Sequence, residues 1–591
     1  MKQKCTWGEI PAQSKNAAPS NSNARGCQTH LNSSTKDVLL AISSGILYVL
    51  LRYILHYLII RAGYADGGLI SGDSYYHFAF VEELRRSPHA FVFQNPFGTL
   101  DKAPHLFNLY SSFLSLFHSL YTQNLFLFDC LLATFFIILG SFLLCRIAAS
   151  LGILDKAILL FGGSLTFIGV SLGAIPREEG LAVAFWGSNY LLNQIATPEI
   201  VYHFLFFLGF YCLTRHKDLW VISVIAVLTF LHPFTSITFN TTVFIAWLLS
   251  LIKTRKVINS RFKIALYAAA SVIACSLFFQ HLLPFISRDA AYFKSIYEIA
   301  HFDIPISAYA TSLILPVSYF LGRLIFSKSR IFSQESSEIM CLCLGTSLFC
   351  ILMSTSYLYT EKVVQPAHWS RVYPYVLIFA AAGLYGFQRR PESLRNRCAT
   401  LIKVCVLVIA LLDNAIGILH VSNVLFHEKR PPLFLTLDQS TIIEKAKLLP
   451  PARFFYFRDR TNRSVFGDFE YAIMALSHQK GFFGHTFFSP FLGSYLSVSY
   501  LPNPGSPLTD HVLRETDYII LDRPLDSTFL GGLGVNLYEG DKLLFIHNSV
   551  HRSLPKKGDE VTSAFSDLRT DSDLSRSKPS DGIPITERRG L

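Results

Sequence analysis

The chain has 591 residues, of which 51% are hydrophobic and 16% are charged, and its formal net charge is +11. A soluble protein carries about 25% charged residues, so this composition excludes an ordinary soluble enzyme and indicates a membrane protein. The basic residues fall in short segments between apolar runs, as the positive-inside rule predicts, so the net charge does not indicate nucleic-acid binding. None of the cysteines lies in the predicted outer loops or the C-terminal part, which excludes a disulfide framework there.

Residues 1–37 are polar and lack the basic-then-apolar pattern of a cleaved signal peptide, so a cytoplasmic tail followed by an uncleaved anchor is predicted. Apolar runs of near 20 residues can cross a bilayer core of about 30 Å, and in lipid they must be helical. Eleven spans are predicted, at 38–60, 125–146, 157–175, 199–214, 219–235, 236–252, 264–285, 311–327, 338–356, 372–388 and 399–421.

Lys and Arg concentrate in alternate loops, for example at Arg215 and Lys217 and between 253 and 263. This bias predicts an α-helical polytopic membrane domain over 38–425 with the N-terminus inside. The outer segments are then 61–124, which is a large first loop, 176–198, 286–310, 357–371 and everything after about 422.

The segment 426–552 has a different character and predicts an extracytoplasmic mixed α/β domain. The charged, Ser-rich residues 553–591 that follow it are typical of a disordered tail. Within the domain the patterns predict a helix over 438–449 with Ser440 or Asp438 as N-cap, strands over 453–457 and 518–522, and a hairpin in which 536–539 and 542–547 flank Gly540-Asp541.

The first candidate for chemistry is the run Gly72-Asp73-Ser74-Tyr75-Tyr76-His77, which opens the first outer loop. An acid just outside the membrane can act as a general base on an acceptor, or can hold a divalent cation. The alternative is structural, because Asp73 could be the N-cap of a short helix over 74–86.

Three further candidates lie near predicted outer membrane ends. In the second outer loop Glu178 and Glu179 form a second acidic site and Arg177 could contact phosphate, although a solvated loop explains the same charges. Arg371, with His368, could recognise phosphate, although an interfacial anchor beside Trp369 is the structural alternative. His232, before Pro233, is either a site residue or a satisfied interfacial histidine.

Two absences restrict the function classes. The sequence has no GxxxxGK[ST] motif, so an ATP-driven pump is not indicated. Charged residues deep in the predicted spans are scarce apart from Asp413, which argues against an ion-coupled transporter.

In layout and motifs the chain resembles the GT-C glycosyltransferases, which include the catalytic subunit of oligosaccharyltransferase and the protein mannosyltransferases. The run from Gly72 to His77 is similar to their first acidic motif, and Glu178-Glu179 stands in the place of the second. Arg371 falls where an arginine often meets the lipid-linked phosphate, and the run 536–546 looks like the final hairpin of many bacterial members.

The resemblance implies an inverting transfer of sugar from a polyprenyl-phosphate-linked donor to a glycan, lipid or protein acceptor outside the cytoplasm. Asp73 would be the base, and Tyr76, His77, His232 and His368 would line the site. Arg371 and Arg177 would bind the phosphate. A divalent cation, Mg or Mn, would be held by Asp73, Glu178 and Glu179. The chain has no Trp after Trp369, so the Trp-Trp-Asp sequon motif is absent and glycosylation of Asn sequons is not expected.

Two other functions remain open. A flippase or transporter of lipid-linked saccharides would need no catalytic acid, and a non-catalytic envelope assembly protein would need only its external domain. The lipid bilayer is the environment in all three, and the bacterial inner (plasma) membrane is expected, with the endoplasmic reticulum as the alternative.

Overall fold

The structure, a computed structural model, describes residues 22–65, 72–86, 92–94, 105–107, 109–150, 197–253, isolated helical residues between 273 and 353, 435–458, 468–481, 507–523 and 534–549. It is mostly helical with a C-terminal sheet. In the N-terminal two-fifths the elements are α1 (Ser22–Arg61), α2 (Gly72–Arg86), the antiparallel pair β1 (Val92–Gln94) and β2 (His105–Phe107), α3 (Leu109–Ser115), α4 (His118–Gln123), α5 (Leu125–Ser150), α6 (Thr197–Thr214), α7 (Asp218–Leu231) and α8 (Pro233–Lys253).

By length and composition, two described helices could cross a membrane, Thr35–Arg61 within α1 and Leu125–Ile147 within α5, and α6, α7 and α8 contain shorter apolar helices. In the predicted span 338–356 the described residues are helical, and Thr346 packs on α8 with its hydroxyl oxygen 2.8 Å from that of Thr242. The predicted spans 157–175, 311–327, 372–388 and 399–421 lie outside the described residues, and in 264–285 only Ile273 is described, so the count of eleven remains a prediction.

α1 and α5 pack antiparallel. Gly45 faces Ile138, where an added Cβ would stand 2.6 Å from the isoleucine side chain, and nearer the other end Tyr53 meets Phe126 edge to face at 5.4 Å between ring centroids. The glycine therefore permits the two helices to approach closely at this point.

The helix break between α7 and α8 falls at His232–Pro233, so the predicted division between spans at 235/236 is wrong. A proline has no N–H to donate inside a helix and suits the first helical position, which makes Pro233 the start of α8. The Thr235 N–H donates to His232 Nδ1 at 3.3 Å, so His232 caps the new helix.

The C-terminal domain forms a five-stranded sheet in the order β4-β3-β5-β7-β6. β3 is parallel to β4 and β5, whereas β7 is antiparallel to both neighbours. The predicted strands and hairpin are confirmed. The elements are α9 (Leu437–Lys447), β3 (Arg453–Phe457), α10 (Asp468–Ser477), β4 (Lys480–Gly481), α11 (Pro507–Glu515), β5 (Tyr518–Asp522), β6 (Gly534–Glu539) and β7 (Leu543–Asn548).

The predicted cap of α9 is wrong, because Thr436 is its N-cap and forms a capping box with Gln439. Asp438 lies in the first helical turn and has a different structural role. Its carboxylate accepts from the Tyr538 hydroxyl at 2.8 Å and from the Lys542 backbone N–H at 2.9 Å. It thereby ties the β6–β7 hairpin to α9.

Two hydrophobic cores are present in the described structure. One is shared by α1, α5, α6, α7 and α8. The other joins α2, α3 and the ends of α5 and α6 to the α/β domain, with Phe78, Phe80 and Phe469 among its buried residues. α2 therefore lies between the helical bundle and the α/β domain.

Candidate functional site

α2 carries the predicted first motif. The helix begins at Gly72, so Asp73 lies in its first turn and not at the cap position before a helix over 74–86. The side chains of Asp73 and Tyr76 lie outside the described part of the structure. His77 is four residues after Asp73 and therefore shares its helix face. The His77 ring meets that of Tyr110 in α3 edge to face, at 5.0 Å between centroids.

Tyr110 is almost fully buried at 3% exposure. Burial raises the pKa of its phenol well above the ordinary value, and the negative charge of Asp129 and the nearby Tyr202 raise it further. Because desolvation disfavours the phenolate, the group stays a neutral O–H donor at every physiological pH.

A buried ion pair joins α1 to α5 beside this tyrosine. Arg52 donates to Asp129 at 3.0 Å, and both side chains are buried. Both residues lie inside the two helices that could cross a membrane. The expectation that charges within the spans are scarce apart from Asp413 is therefore wrong for these two helices. Pairing explains why the charges are tolerated, since an unpaired charge in an apolar bundle is strongly unfavourable.

Tyr202 of α6 and His232 stack face to face, at 4.4 Å between centroids and 9° between planes. The His232 Nδ1 lies 2.7 Å from the Thr235 hydroxyl oxygen and accepts from the Thr235 backbone N–H. In the neutral ring Nε2 then carries the proton. His232 thus has a structural role as a cap while its ring covers Tyr202.

These groups form one set, called here the α2-side cluster because it lies at the end of the bundle that faces α2. Its residues belong to α2, to α3, to the C-terminal part of α1, to the first two turns of α5 and α6, and to the break between α7 and α8. The basic residues Arg146, Arg215, Lys217 and Lys253 lie at the other end of the same helices. The members of the cluster are Arg52, His77, Tyr110, Asp129, Tyr202 and His232.

A second polar group fixes α2 to the α/β domain. The buried Glu82 carboxylate contacts His118 Nε2 at 2.6 Å and His478 Nδ1 at 2.8 Å. Next to it, Lys480 at the start of β4 donates to Glu83 at 3.3 Å. Residues distant in sequence therefore hold the C-terminal half of α2, and so orient its first turn.

The structure brings His77 and His232 into one cluster and places Asp73 one turn from it. The other predicted site residues lie outside the described residues: Arg177, Glu178, Glu179, His368 and Arg371. Among the described side chains no group of three His, Cys, Asp or Glu could hold a metal ion. The cation predicted on Asp73, Glu178 and Glu179 remains a prediction.

Sequence reasoning missed most of the α2-side cluster. Arg52 and Asp129 did carry a signal, since each is a single charge within an apolar run. Tyr110 and Tyr202 carried none, because aromatic residues are abundant throughout the chain. Glu82 was not singled out, because a charged residue type alone does not indicate the burial that the structure shows for it.

Comparison with known proteins supplies no assignment. No model of a known protein family matches the chain, and no curated protein matches it. Any function must therefore be argued from the site.

Proposed function

We propose that the chain is a membrane glycosyltransferase with the eleven-span layout of the GT-C class. It moves a sugar from a polyprenyl-phosphate-linked donor to an acceptor outside the cytoplasm. The observation that supports this most is the position of α2. α2 begins with the first acidic motif and packs between the bundle and the α/β domain. His77 of α2 contacts Tyr110, so the α2-side cluster lies next to this helix.

The roles follow from the residue types. Asp73 takes the proton of the acceptor as its oxygen or nitrogen attacks the anomeric carbon. The bond from that carbon to the phosphate oxygen breaks, its electron pair leaves with the lipid phosphate, and the configuration inverts. Arg371 and Arg177 stabilise the charge that develops on the phosphate. Tyr110 remains protonated and offers a neutral O–H donor beside His77.

Glu178 and Glu179, with Asp73, would hold a divalent cation, because carboxylates are the ligands that Mg²⁺ and Mn²⁺ prefer. The bound cation would supply positive charge next to the leaving phosphate. The site lies at the outer leaflet, in the bacterial inner membrane or, alternatively, the endoplasmic reticulum, because the lipid-linked donor presents its headgroup there.

The test measures release of polyprenyl phosphate by purified protein in nanodiscs, given polyprenyl-linked sugars and envelope acceptors. Wild type is expected to release it, and Asp73→Asn is expected to lose roughly 10²–10⁴-fold in rate. Asp66→Asn, which changes an acid of the same outer loop, is the matched control and is expected to retain the rate. Equal release by wild type and Asp73→Asn would remove Asp73 from the mechanism.

One observation favours a second candidate, a transporter of lipid-linked saccharides. The Arg52–Asp129 pair is buried inside two apolar helices, and ionisable groups in that position commonly mark transport pathways. A transporter would move the labelled lipid-linked sugar across a vesicle membrane without freeing lipid phosphate, so measuring both quantities in the same vesicles separates the two functions.

A further inference from the structure

α7 is too short to cross a full bilayer core. It runs from Asp218 to Leu231 and has 14 residues, whereas α6 has 18 and α8 has 21. At 1.5 Å per residue α7 is about 21 Å long, and the hydrocarbon core of a bilayer is about 30 Å thick. Tilting the helix would only reduce the depth that it covers. In the membrane layout proposed above, α7 therefore leaves a shortfall of about 9 Å.

One face of α7 is exposed over most of its length. Leu219 is 76% exposed and Trp220 is 60% exposed, and the exposed residues Ser223 and Ala226 continue this face. The Ser223 hydroxyl donates to the Leu219 carbonyl oxygen at 3.0 Å, so its proton is satisfied within the helix. α7 is thus not enclosed by protein, and a surrounding bilayer has to adapt to its length.

The first turn of α7 lies at one membrane interface in this layout. Lys217, which precedes the helix, is exposed, and Trp220 lies in the first turn. Lysine and tryptophan are favoured at the boundary between lipid and water, because their side chains have an apolar body and a polar end. Since these residues fix the start of α7, the shortfall falls at its other end. That end is the break at His232–Pro233, in the α2-side cluster.

The break lies deeper in the bundle than the start of α6. The His232 ring stacks on that of Tyr202 at 4.4 Å between centroids. At 1.5 Å per residue, Tyr202 lies about 8 Å along α6 from its first residue, Thr197. The break is therefore recessed by nearly the length that α7 lacks. Two independent observations, a helix length and a ring contact, give the same depth.

The backbone at the break is not fully helical. Pro233 has no N–H, so the Thr229 carbonyl loses the donor that a continuous helix would give it. At membrane depth such backbone occurs only where protein or water surrounds it. His232 is half-buried, and Ile237, one turn into α8, is 38% exposed. Protein does not enclose the break completely, which favours contact with water.

We propose that the bilayer is locally thinned around the α7–α8 break, so that water and the headgroups of the predicted outer leaflet descend to His232 and Ile237. A bilayer adapts to a short apolar helix by thinning, at a small free-energy cost per ångström. The thinning brings the phosphate of a lipid in that leaflet close to the α2-side cluster. The inference rests on the membrane layout given under the proposed function, and not on the transfer of sugar.

The test measures water access along the exposed face of α8 in the full chain, reconstituted in nanodiscs of dioleoylphosphatidylcholine. Ile237→Cys and Phe244→Cys are each reacted with a charged, water-soluble maleimide. Mass spectrometry of the peptides that contain these positions keeps the native cysteines out of the readout. Each rate is divided by that of the same variant unfolded in dodecyl sulfate, which removes differences in intrinsic reactivity.

Phe244→Cys is the matched control, because Phe244 is 52% exposed on the same face of α8 and lies about 10 Å further along the helix. Ile237→Cys is expected to react at least about tenfold faster, since the reactive thiolate forms in water and not in hydrocarbon. Slow reaction of both would place Ile237 in a bilayer of full thickness and overturn the proposal. Fast reaction of both would show that α8 is not in a bilayer, and would overturn the membrane layout as well.

A measurement on wild type covers the case in which a cysteine variant fails to fold. Hydroxyl radicals produced from water oxidise aromatic side chains that water reaches. Phe234 is half-buried whereas Phe244 is exposed, so oxidation is expected in the reverse order of exposure, with Phe234 modified and Phe244 spared. Oxidation of Phe244 in preference to Phe234, or of neither, would overturn the proposal. Release of lipid phosphate by the same nanodiscs is a separate readout, so failure of the thinning and failure of the transferase function are distinguishable.

Discussion

Replacing Asp129 by Asn tests whether the ion pair between α1 and α5 stabilises the bundle. Arg52 and Asp129 are both buried and 3.0 Å apart. The variant leaves the guanidinium charged inside the bundle without its counter-ion. Removing one partner of a buried pair lowers the free energy of unfolding by about 3–5 kcal/mol.

The double variant Arg52→Met with Asp129→Leu separates the charge from the packing. It removes both charges and keeps side chains that pack in an apolar bundle. Replacing a whole buried ion pair by apolar residues is often neutral or stabilising, so this variant is expected to unfold close to wild type.

The assay is denaturant unfolding in mixed micelles, monitored by helical circular dichroism. Glu444→Gln, which breaks the exposed pair with Lys447, provides the scale, because such pairs contribute about 1 kcal/mol or less. If Asp129→Asn destabilises the protein no more than this control does, Arg52 is not a buried charge that depends on Asp129, and the pair does not stabilise the bundle as expected.

Three further predictions concern the α/β domain and its attachment. Thr436→Ala removes the side-chain cap of α9 and should lower the stability of the domain by about 1 kcal/mol in denaturant unfolding, whereas an unchanged midpoint would show that the cap is not used. Glu82→Gln weakens the contacts with His118 and His478, so hydrogen exchange in α10 should accelerate while that in the core of α5 stays constant. Burial lowers the pKa of His511, so the unfolded state binds more protons below about pH 6.5 and domain stability should fall with falling pH, less so in His511→Gln.

Local patterns predicted the elements whose cause is local. Run length, charge and turn residues predicted the end of α1, the start of α5 and the β6–β7 hairpin. The observed bounds of these elements lie within two residues of the expected ones. The errors arose where two local signals compete. The helix break falls at Pro233, which is the first residue of α8. Thr436, and not Asp438, is the N-cap of α9, because this helix begins one residue earlier than expected.

The candidate site was only partly predictable, because its contacts are long-range. The motif around Asp73 and the histidines at 77 and 232 could be singled out from residue type and position. The partners that organise them could not, since Asp129 meets Arg52 across 77 residues and Glu82 meets His478 across 396. Such contacts depend on how helices pack, which spacing along the chain does not specify.

The central claim is that a glycosidic bond forms as lipid phosphate leaves. It is tested most directly by a reaction of the wild-type chain in vesicles with a donor labelled at the anomeric carbon, followed by NMR. One equivalent of freed polyprenyl phosphate is expected for each new glycosidic bond, with the anomeric configuration inverted. Donor that crosses the membrane intact without release of phosphate would contradict the transferase function, and a product with retained configuration would contradict the single displacement assisted by Asp73.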